Sequence, residues 1–416
     1  MSRVTSPGPV VIVGGGMAGG NAAVTLREEG LAGPVTIVSR EPGVPFGRPP
    51  LSKTYLRSEE KLDGWYVRPA DWYAQHDIER LRAEVTSVDA AARQVILGSG
   101  QRLGYEQLLI ASGAQPRRLA LPGAGLAGLH YLRTVADCDV IKQLARPGQR
   151  AVVVGMSFIG CEVAASLTQL GVQVTCAYPG KFPLDQVLGD EIGAVMADIH
   201  RQHGVELRPG EQVTGFAGDQ RVTAVLTASG ARLPCDFAVA GVGIVLDVPP
   251  VTGASLEQGN GILADELCRT SVTGIYAAGD VANQLHPLFG RVRVEHYNNA
   301  EKQGRAVARF MLGSTAPYDY VHTFWSDQYE HKIEYAGHAT KWDDFVVRGS
   351  LADHRLIGFY LSGGVVRAAV GLDRGGDPEL DQDSEMAAAD RLVAVRARPD
   401  RDQLTDERTD LWSLTG

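Results

Sequence analysis

The chain has 416 residues, 44% hydrophobic and 21% charged, which is enough to bury large cores and implies two or three domains. A net charge of −9 excludes nucleic acid as a main partner, because phosphate binding needs a basic surface. No apolar run nears the roughly 20 residues that span a bilayer, and MSRVTSPGPV has no apolar signal core ahead of the first strand, so no membrane association and a cytoplasmic location are expected.

In chain order, the apolar strand Val10–Val13 runs straight into Gly14, Gly16 and Gly19, the spacing G-x-G-x-x-G, followed by an Ala-rich helix. These glycines permit a tight turn, close backbone approach to a pyrophosphate and close helix packing, and the helix start adds N–H groups and a positive dipole end. The next strand, PVTIVSRE, ends at Glu41, placed to accept hydrogen bonds from an adenosine ribose. The segment VPFGRPPLSKTYL contains no cysteine, so thiol–disulfide chemistry is not expected there. YEQLLIASGAQPRRL (105–119) reads as a strand ending in small residues and a proline.

The supersecondary pattern then repeats. Residues 150–178, RAVVVGMSFIGCEVAASLTQLGVQVTCAY, form a second strand, glycine turn, helix and strand, with Gly155 and Gly160 kept but Ser157 where the second glycine would stand. TGIYAAGDVAN (273–283) is another strand, ending at Gly279 and Asp280. From about residue 320 the texture changes to short alternating strands rich in aromatics, a smaller α+β region, followed by a loop, a short amphipathic helix and a polar tail. Cys138, Cys161, Cys176, Cys235 and Cys268 occur singly, so neither a disulfide framework nor a metal site is expected.

Seven motifs in order, VIVGGGMAGGNAA, VPFGRPPLSKTYL, LLIASGAQPRRL, MSFIGCEVAAS, IYAAGDVA, RVEHYNNAEKQG and FWSDQY, make nearly the whole chain resemble the FAD-dependent ferredoxin, rubredoxin and putidaredoxin reductases. That family includes reductase components of ring-hydroxylating dioxygenases and is related to apoptosis-inducing factor. The resemblance implies an α/β fold with two Rossmann-like dinucleotide-binding domains plus a C-terminal α+β domain. The FAD domain would be 1–118 and 243–319, the inserted NAD(P)H-type domain 119–242, and the interface domain 320–416.

It also implies roles. Gly14, Gly16 and Gly19, with Ala18 beside them, would face the FAD pyrophosphate, Glu41 its ribose and Arg48 its phosphates or nearby polar groups, while Asp280, next to Gly279, would bond the ribityl chain. Lys53 would sit near the flavin N5 edge, paired with Glu162, and a cation there favours the reduced, more anionic ring. A helix beginning around Asn298 would aim its amino end at the N1/O2 side. Trp325 would be a flavin neighbour or a conduit to a partner. The remaining cofactor-binding candidates are Val85, Ala111, Ser112, Gly113, Arg133, Glu295 and His296.

On the nicotinamide side, Gly155, Ser157, Ile159, Gly160, Tyr178, Lys181 and Gly243 are the candidates. Tyr178 stands where an acid would grip the NADH ribose, Lys181 is the one cation left to meet an NADPH 2′-phosphate, and the family's G-x-G-x-x-P-N becomes Gly241 to Asp247 with Leu246-Asp247 at its end. The leading expectation is an NADH- or NADPH-dependent flavoprotein reductase, monomer or homodimer, that passes electrons to a ferredoxin-type iron–sulfur protein of an oxygenase or P450. The alternatives are a diverged flavin oxidase or dehydrogenase of a small organic substrate and a redox-sensing interaction protein.

Overall fold

Val10 and Ile12 face one apolar cluster with Ile37 and Leu109, whereas Val11 and Val13 face another with Leu108 and Ile110. A strand buried on both faces has to be an unbroken apolar run, which is why VVIV reads as one. In the computed structural model, which describes residues 8–416 and so leaves the stretch MSRVTSP outside the described residues, this strand is the centre of a parallel sheet. Its order is Ile275–Ala277, Gln107–Ile110, Val10–Val13, Val35–Ser39, Ile78–Arg82. The helix Met17–Glu28 follows the first glycine turn, and the helix Tyr297–Met311 packs on it so closely that a Cβ at Gly304 would collide with the Ala18 carbonyl. These elements belong to one compact unit, made of the chain up to Arg48, Leu62–Gln115 and Val245–His322.

The second unit is Pro49–Lys61, Pro116–Ile244 and Thr323–Gly416. It contains its own parallel sheet, in the order Glu206–Pro209, Gln173–Tyr178, Arg150–Val154, Phe237–Ala240, Leu129–His130. It also contains an antiparallel sheet in the order Thr323–Gln328, His331–Gly337, Val365–Leu372, Arg355–Ser362, Asp344–Ser350, with the helix Glu385–Ala394 beside it. The expected inserted and C-terminal blocks therefore cluster together, and the expected continuous block 1–118 is interrupted at residue 49. The reason lies in hydrogen bonds: Ser166 Oγ donates to the Ser52 carbonyl at 2.6 Å, Tyr55 to Asp139 at 2.8 Å and Arg57 to Ser166 Oγ at 3.1 Å.

The carboxyl-terminal tail is tied down by Arg348, only 3% exposed. Its guanidinium donates to Glu385 at 2.7 Å and to the carbonyls of Asp406, Glu407 and Thr409 at 2.6, 3.1 and 2.9 Å. A buried cation needs this many acceptors to offset its lost hydration.

Candidate functional site: two glycine turns and a buried ion pair

The two glycine turns have nearly the same backbone. Gly14 and Gly155 both take positive φ, +118° and +92°, which leaves little room for any other residue. A Cβ at Gly14 would strike the Ala111 carbonyl, and one at Gly19 or Gly160 would strike the carbonyl of Gly14 or Gly155. Gly16 differs from these because a Cβ there meets nothing within 4 Å. Its side-chain direction opens onto free space at the start of a helix, where a dinucleotide pyrophosphate fits. FAD therefore fits the first turn on its own geometry.

Around that turn, Glu41 and Arg48 are paired with each other, Arg48 Nη2 donating to Glu41 Oε2 at 2.6 Å. The separate roles expected for them become a shared one: the arginine orients the carboxylate, whose remaining lone pairs stay available to a ribose. Ser112 Oγ donates to the Asp247 carbonyl, Asp247 N–H donates to the Gly113 carbonyl at 3.0 Å, and the Asp247 carboxylate pairs with Arg40. The departure Leu246-Asp247 is thus an anchored loop. Gly279, at φ +73°, donates its N–H to Gln303 at 2.7 Å and opens the short turn that carries Asp280. Glu295 pairs with Arg293 at 2.7 Å, and His296 is the N-cap of a helix that starts at Tyr297, one residue before the expected Asn298. Ala18 is buried, and Val85 begins a strand in the same unit.

Arg133 lies in the second unit, where its N–H donates to Asp137 at 3.2 Å just ahead of the capping box of the helix Val135–Leu144. At the second turn, Ser157 has φ −76° and ψ −178°, close to the −85° and −167° of Gly16, so the serine is unstrained. Its hydroxyl donates to the Gly241 carbonyl at 3.3 Å, leaving Ser157 and Ile159 exposed on the open side of the turn. Gly243 is exposed at φ +94°.

Two nicotinamide-side expectations need correction. Sheet register pairs Val13 with Val38 and Val154 with Ala177, so Tyr178 corresponds to Ser39, and the counterpart of Glu41 is Gly180. Tyr178 is itself 3% exposed, its hydroxyl buried without a hydrogen-bond partner and pushed up to about 12 by burial. It does not present a group to a ribose. Lys181 is not a free cation either: its ammonium is 2.7 Å from Asp190.

The expected Lys53–Glu162 pair is present, with Nζ 2.8 Å from Oε2 and side chains 9% and 5% exposed. Glu162 comes from the helix Phe158–Gln169, and Lys53 follows the turn Pro49–Ser52, both in the second unit. Trp325 lies half-buried on the strand Thr323–Gln328, opposite Glu334, and its side chain hydrogen-bonds Asp327. Burial raises Asp327 above the ordinary carboxylate range against the pull of Lys53 and Lys332. Sequence reasoning missed Ser52, Ser326 and Asp327. Their only signal was position inside the quoted motifs RPPLSK and FWSDQY. All five cysteines are buried, and burial raises their thiols, Cys138 to about 12 and Cys235 to about 11.

The family described as Pyridine nucleotide-disulphide oxidoreductase matches residues 8–304, and the one described as Reductase C-terminal matches residues 323–415. The chain is 37% identical over 410 residues, 97% of its own length and 98% of the other's, to the 5,5′-dehydrodivanillate O-demethylase ferredoxin reductase subunit of Sphingobium sp.. It is 36% identical over 391 residues, 92% of each chain, to the putidaredoxin reductase of Pseudomonas putida. Among solved structures, a chain of the covalent putidaredoxin reductase–putidaredoxin complex has a TM-score of 0.91 at 35% identity, over 98% of this chain and 97% of that one.

Proposed function

Because the chain belongs to the pyridine nucleotide-disulphide oxidoreductase family, we propose that it is an FAD enzyme that oxidises NADH or NADPH and delivers electrons to a ferredoxin-type iron–sulfur protein serving an oxygenase or P450. The observation that carries this reading is likeness over nearly the full length of both chains to ferredoxin reductases, the C-terminal region included. When bound, FAD supplies the step that a one-electron acceptor requires, taking a hydride and releasing electrons singly. The first turn and the start of the helix Met17–Glu28 hold the pyrophosphate, and Glu41, steadied by Arg48, faces the ribose.

By its resemblance to the family, Lys53 would carry a positive charge to the reactive edge of the ring, and its ion pair with Glu162 would keep that charge ordered. The segment VPFGRPPLSKTYL holds no cysteine and the five cysteines elsewhere are buried and unpaired, which argues against disulfide chemistry here. At the second turn, Gly180 brings no side chain of its own, and the Asp185 carboxylate beside it is engaged by the Lys181 and Phe182 N–H groups at 2.8 and 3.1 Å rather than free to grip the NADH ribose. An exposed pair such as Lys181–Asp190 is worth at most about 1 kcal/mol, so it yields easily to a 2′-phosphate. We therefore expect modest nicotinamide affinity, with NADH the more weakened of the two. Among the described residues no helix is long and apolar enough to cross a membrane, and five unpaired cysteines suit the cytoplasm.

Anaerobic titration of the holoprotein with NADH and NADPH, followed by turnover with a ferredoxin, tests the proposal. Rapid flavin bleaching with ferredoxin reduction supports it. Inertness toward both nucleotides, with bleaching by a small amine or alcohol and release of hydrogen peroxide, would replace it with the substrate-driven oxidase.

A further inference from the structure

Glu162 is more heavily hydrogen-bonded than one ion pair accounts for. Its Oε2 receives Lys53 Nζ at 2.8 Å and Ser52 Oγ at 2.5 Å, and its Oε1 receives Ser326 Oγ at 2.7 Å. All four residues are buried, Ser52 at 1% and Ser326 at 0% exposure. The proton directions are set from behind. Gln328 Nε2 donates to Ser326 Oγ at 3.2 Å, so that oxygen already accepts an N–H and turns its own proton toward Glu162; Ser52 Oγ lies 3.4 Å from Lys53 Nζ and favours Glu162 at 2.5 Å over its other acceptor, the Pro49 carbonyl at 3.3 Å. The alternation of the strand Thr323–Gln328 puts Ser326 and Gln328 on one face, with Trp325 and Asp327 on the other. Ser52 is fixed by Ser166, whose hydroxyl donates to its carbonyl at 2.6 Å.

A buried lysine–glutamate pair has two competing states: ammonium with carboxylate, or amine with carboxylic acid. Burial alone favours the neutral one, since both charges lose their hydration. A protonated Glu162 would offer fewer acceptor sites to the three donors that face it, Lys53, Ser52 and Ser326, and would turn Ser52 to the longer bond with the Pro49 carbonyl at 3.3 Å. Asp327, the other carboxyl that feels Lys53, is raised by burial and receives no such pair of hydroxyls among the hydrogen bonds described above.

We propose that Ser52 and Ser326 are positioning residues that hold Glu162 as a carboxylate and so keep the pair's proton on Lys53. This rests on the assignment of Lys53 to the flavin edge: the two serines would then set the flavin potential without touching the ring.

The test uses full-length holoprotein carrying Ser326→Ala, Ser52→Ala, Ser326→Thr or Lys53→Met. Two readouts are taken, the FAD midpoint potential by dye-coupled titration and the carboxylic-acid C=O stretch by infrared difference spectroscopy. In each alanine variant we expect the reduced-to-oxidised ratio at fixed poise to fall about threefold to tenfold, the upper figure being about 30 mV for a two-electron couple. The shift should have the sign of the Lys53→Met shift, and Ser326→Thr should restore the potential. A carboxylic-acid band should appear in Ser326→Ala and vanish when Glu162→Gln is added. Unchanged potentials in both alanine variants, with Lys53→Met shifted, overturn the role of the serines while leaving Lys53 at the flavin. An unchanged potential in Lys53→Met overturns the flavin assignment. The infrared band then decides the charge state, and its absence from Ser326→Ala overturns the proposal.

Discussion

Replacing Tyr178 by phenylalanine separates two incompatible accounts of the second glycine turn. In the structure the tyrosine hydroxyl is buried and lacks a hydrogen-bond partner, a situation that costs about 1–3 kcal/mol. Deleting the oxygen removes that cost but leaves a small void, so Tyr178→Phe should stabilise the protein by about 1 kcal/mol. It should leave nicotinamide affinity unchanged. If the hydroxyl instead bonded the adenosine ribose, the same change would remove a hydrogen bond of about 0.5–1.5 kcal/mol and weaken binding roughly two- to tenfold. Urea unfolding of the holoprotein gives the first quantity, and stopped-flow flavin reduction across an NADPH and NADH series gives the second. A Kd raised twofold or more with an unmoved unfolding midpoint would refute the burial argument. The companion change Tyr178→Glu, attractive from sequence as a restored ribose acid, should cost at least about 3 kcal/mol, because it exchanges a buried ring for a buried carboxylate.

Gly16→Glu should yield apoprotein, seen as loss of flavin absorbance after gel filtration, because the side chain and its charge would occupy the open space at the first turn. Lys53→Met should slow flavin reduction by any donor roughly ten- to hundredfold, equivalent to about 1–3 kcal/mol, and unchanged stopped-flow rates would remove the pair from the mechanism. Arg348→Met should destabilise the protein by about 1–3 kcal/mol by leaving the tail carbonyls without their donor, while Glu385 keeps its pair with Arg374, and should expose residues 404–409 to limited proteolysis. Burial, reinforced by Glu379, lifts Asp390 from 3.8 to about 7. The folded chain thus binds this proton more tightly than the unfolded one, and stability falls as pH rises from about 4 to 7. Asp390→Asn should therefore stabilise at pH 8, by about 1–3 kcal/mol, and not at pH 4; equal unfolding midpoints at pH 8 would contradict this.

The elements that generic physics dictates were legible. VVIV followed by three spaced glycines admits few conformations, and the repeat at residue 150 showed itself through the same apolar run and small residues. Lys53 and Glu162 were expected to touch although they are 109 positions apart in sequence, and they lie 2.8 Å apart. What the sequence hid was register and company. Tyr178 looked like the counterpart of an acidic residue because it ends an apolar run, yet strand pairing aligns it with Ser39, two positions before Glu41. Ser52 and Ser326 carry no signal of their own, since serine is common and its role here depends on partners 110 and 164 positions away. The cut at residue 49 was equally invisible, because nothing in PPLSKTYL announces that its hydrogen bonds go to residues beyond 130.

The matching dihedrals of Gly16 and Ser157 mean that the middle position of such a turn is optional to the fold. Gly14 and Gly155 are pinned by their positive φ, and Gly19 and Gly160 by the carbonyls they abut, but the residue between them answers only to whatever ligand arrives. A lineage can therefore walk through serine, alanine or threonine there without ever producing a misfolded ancestor. Nucleotide affinity at the second turn becomes a heritable dial that selection can move in single steps, and move back.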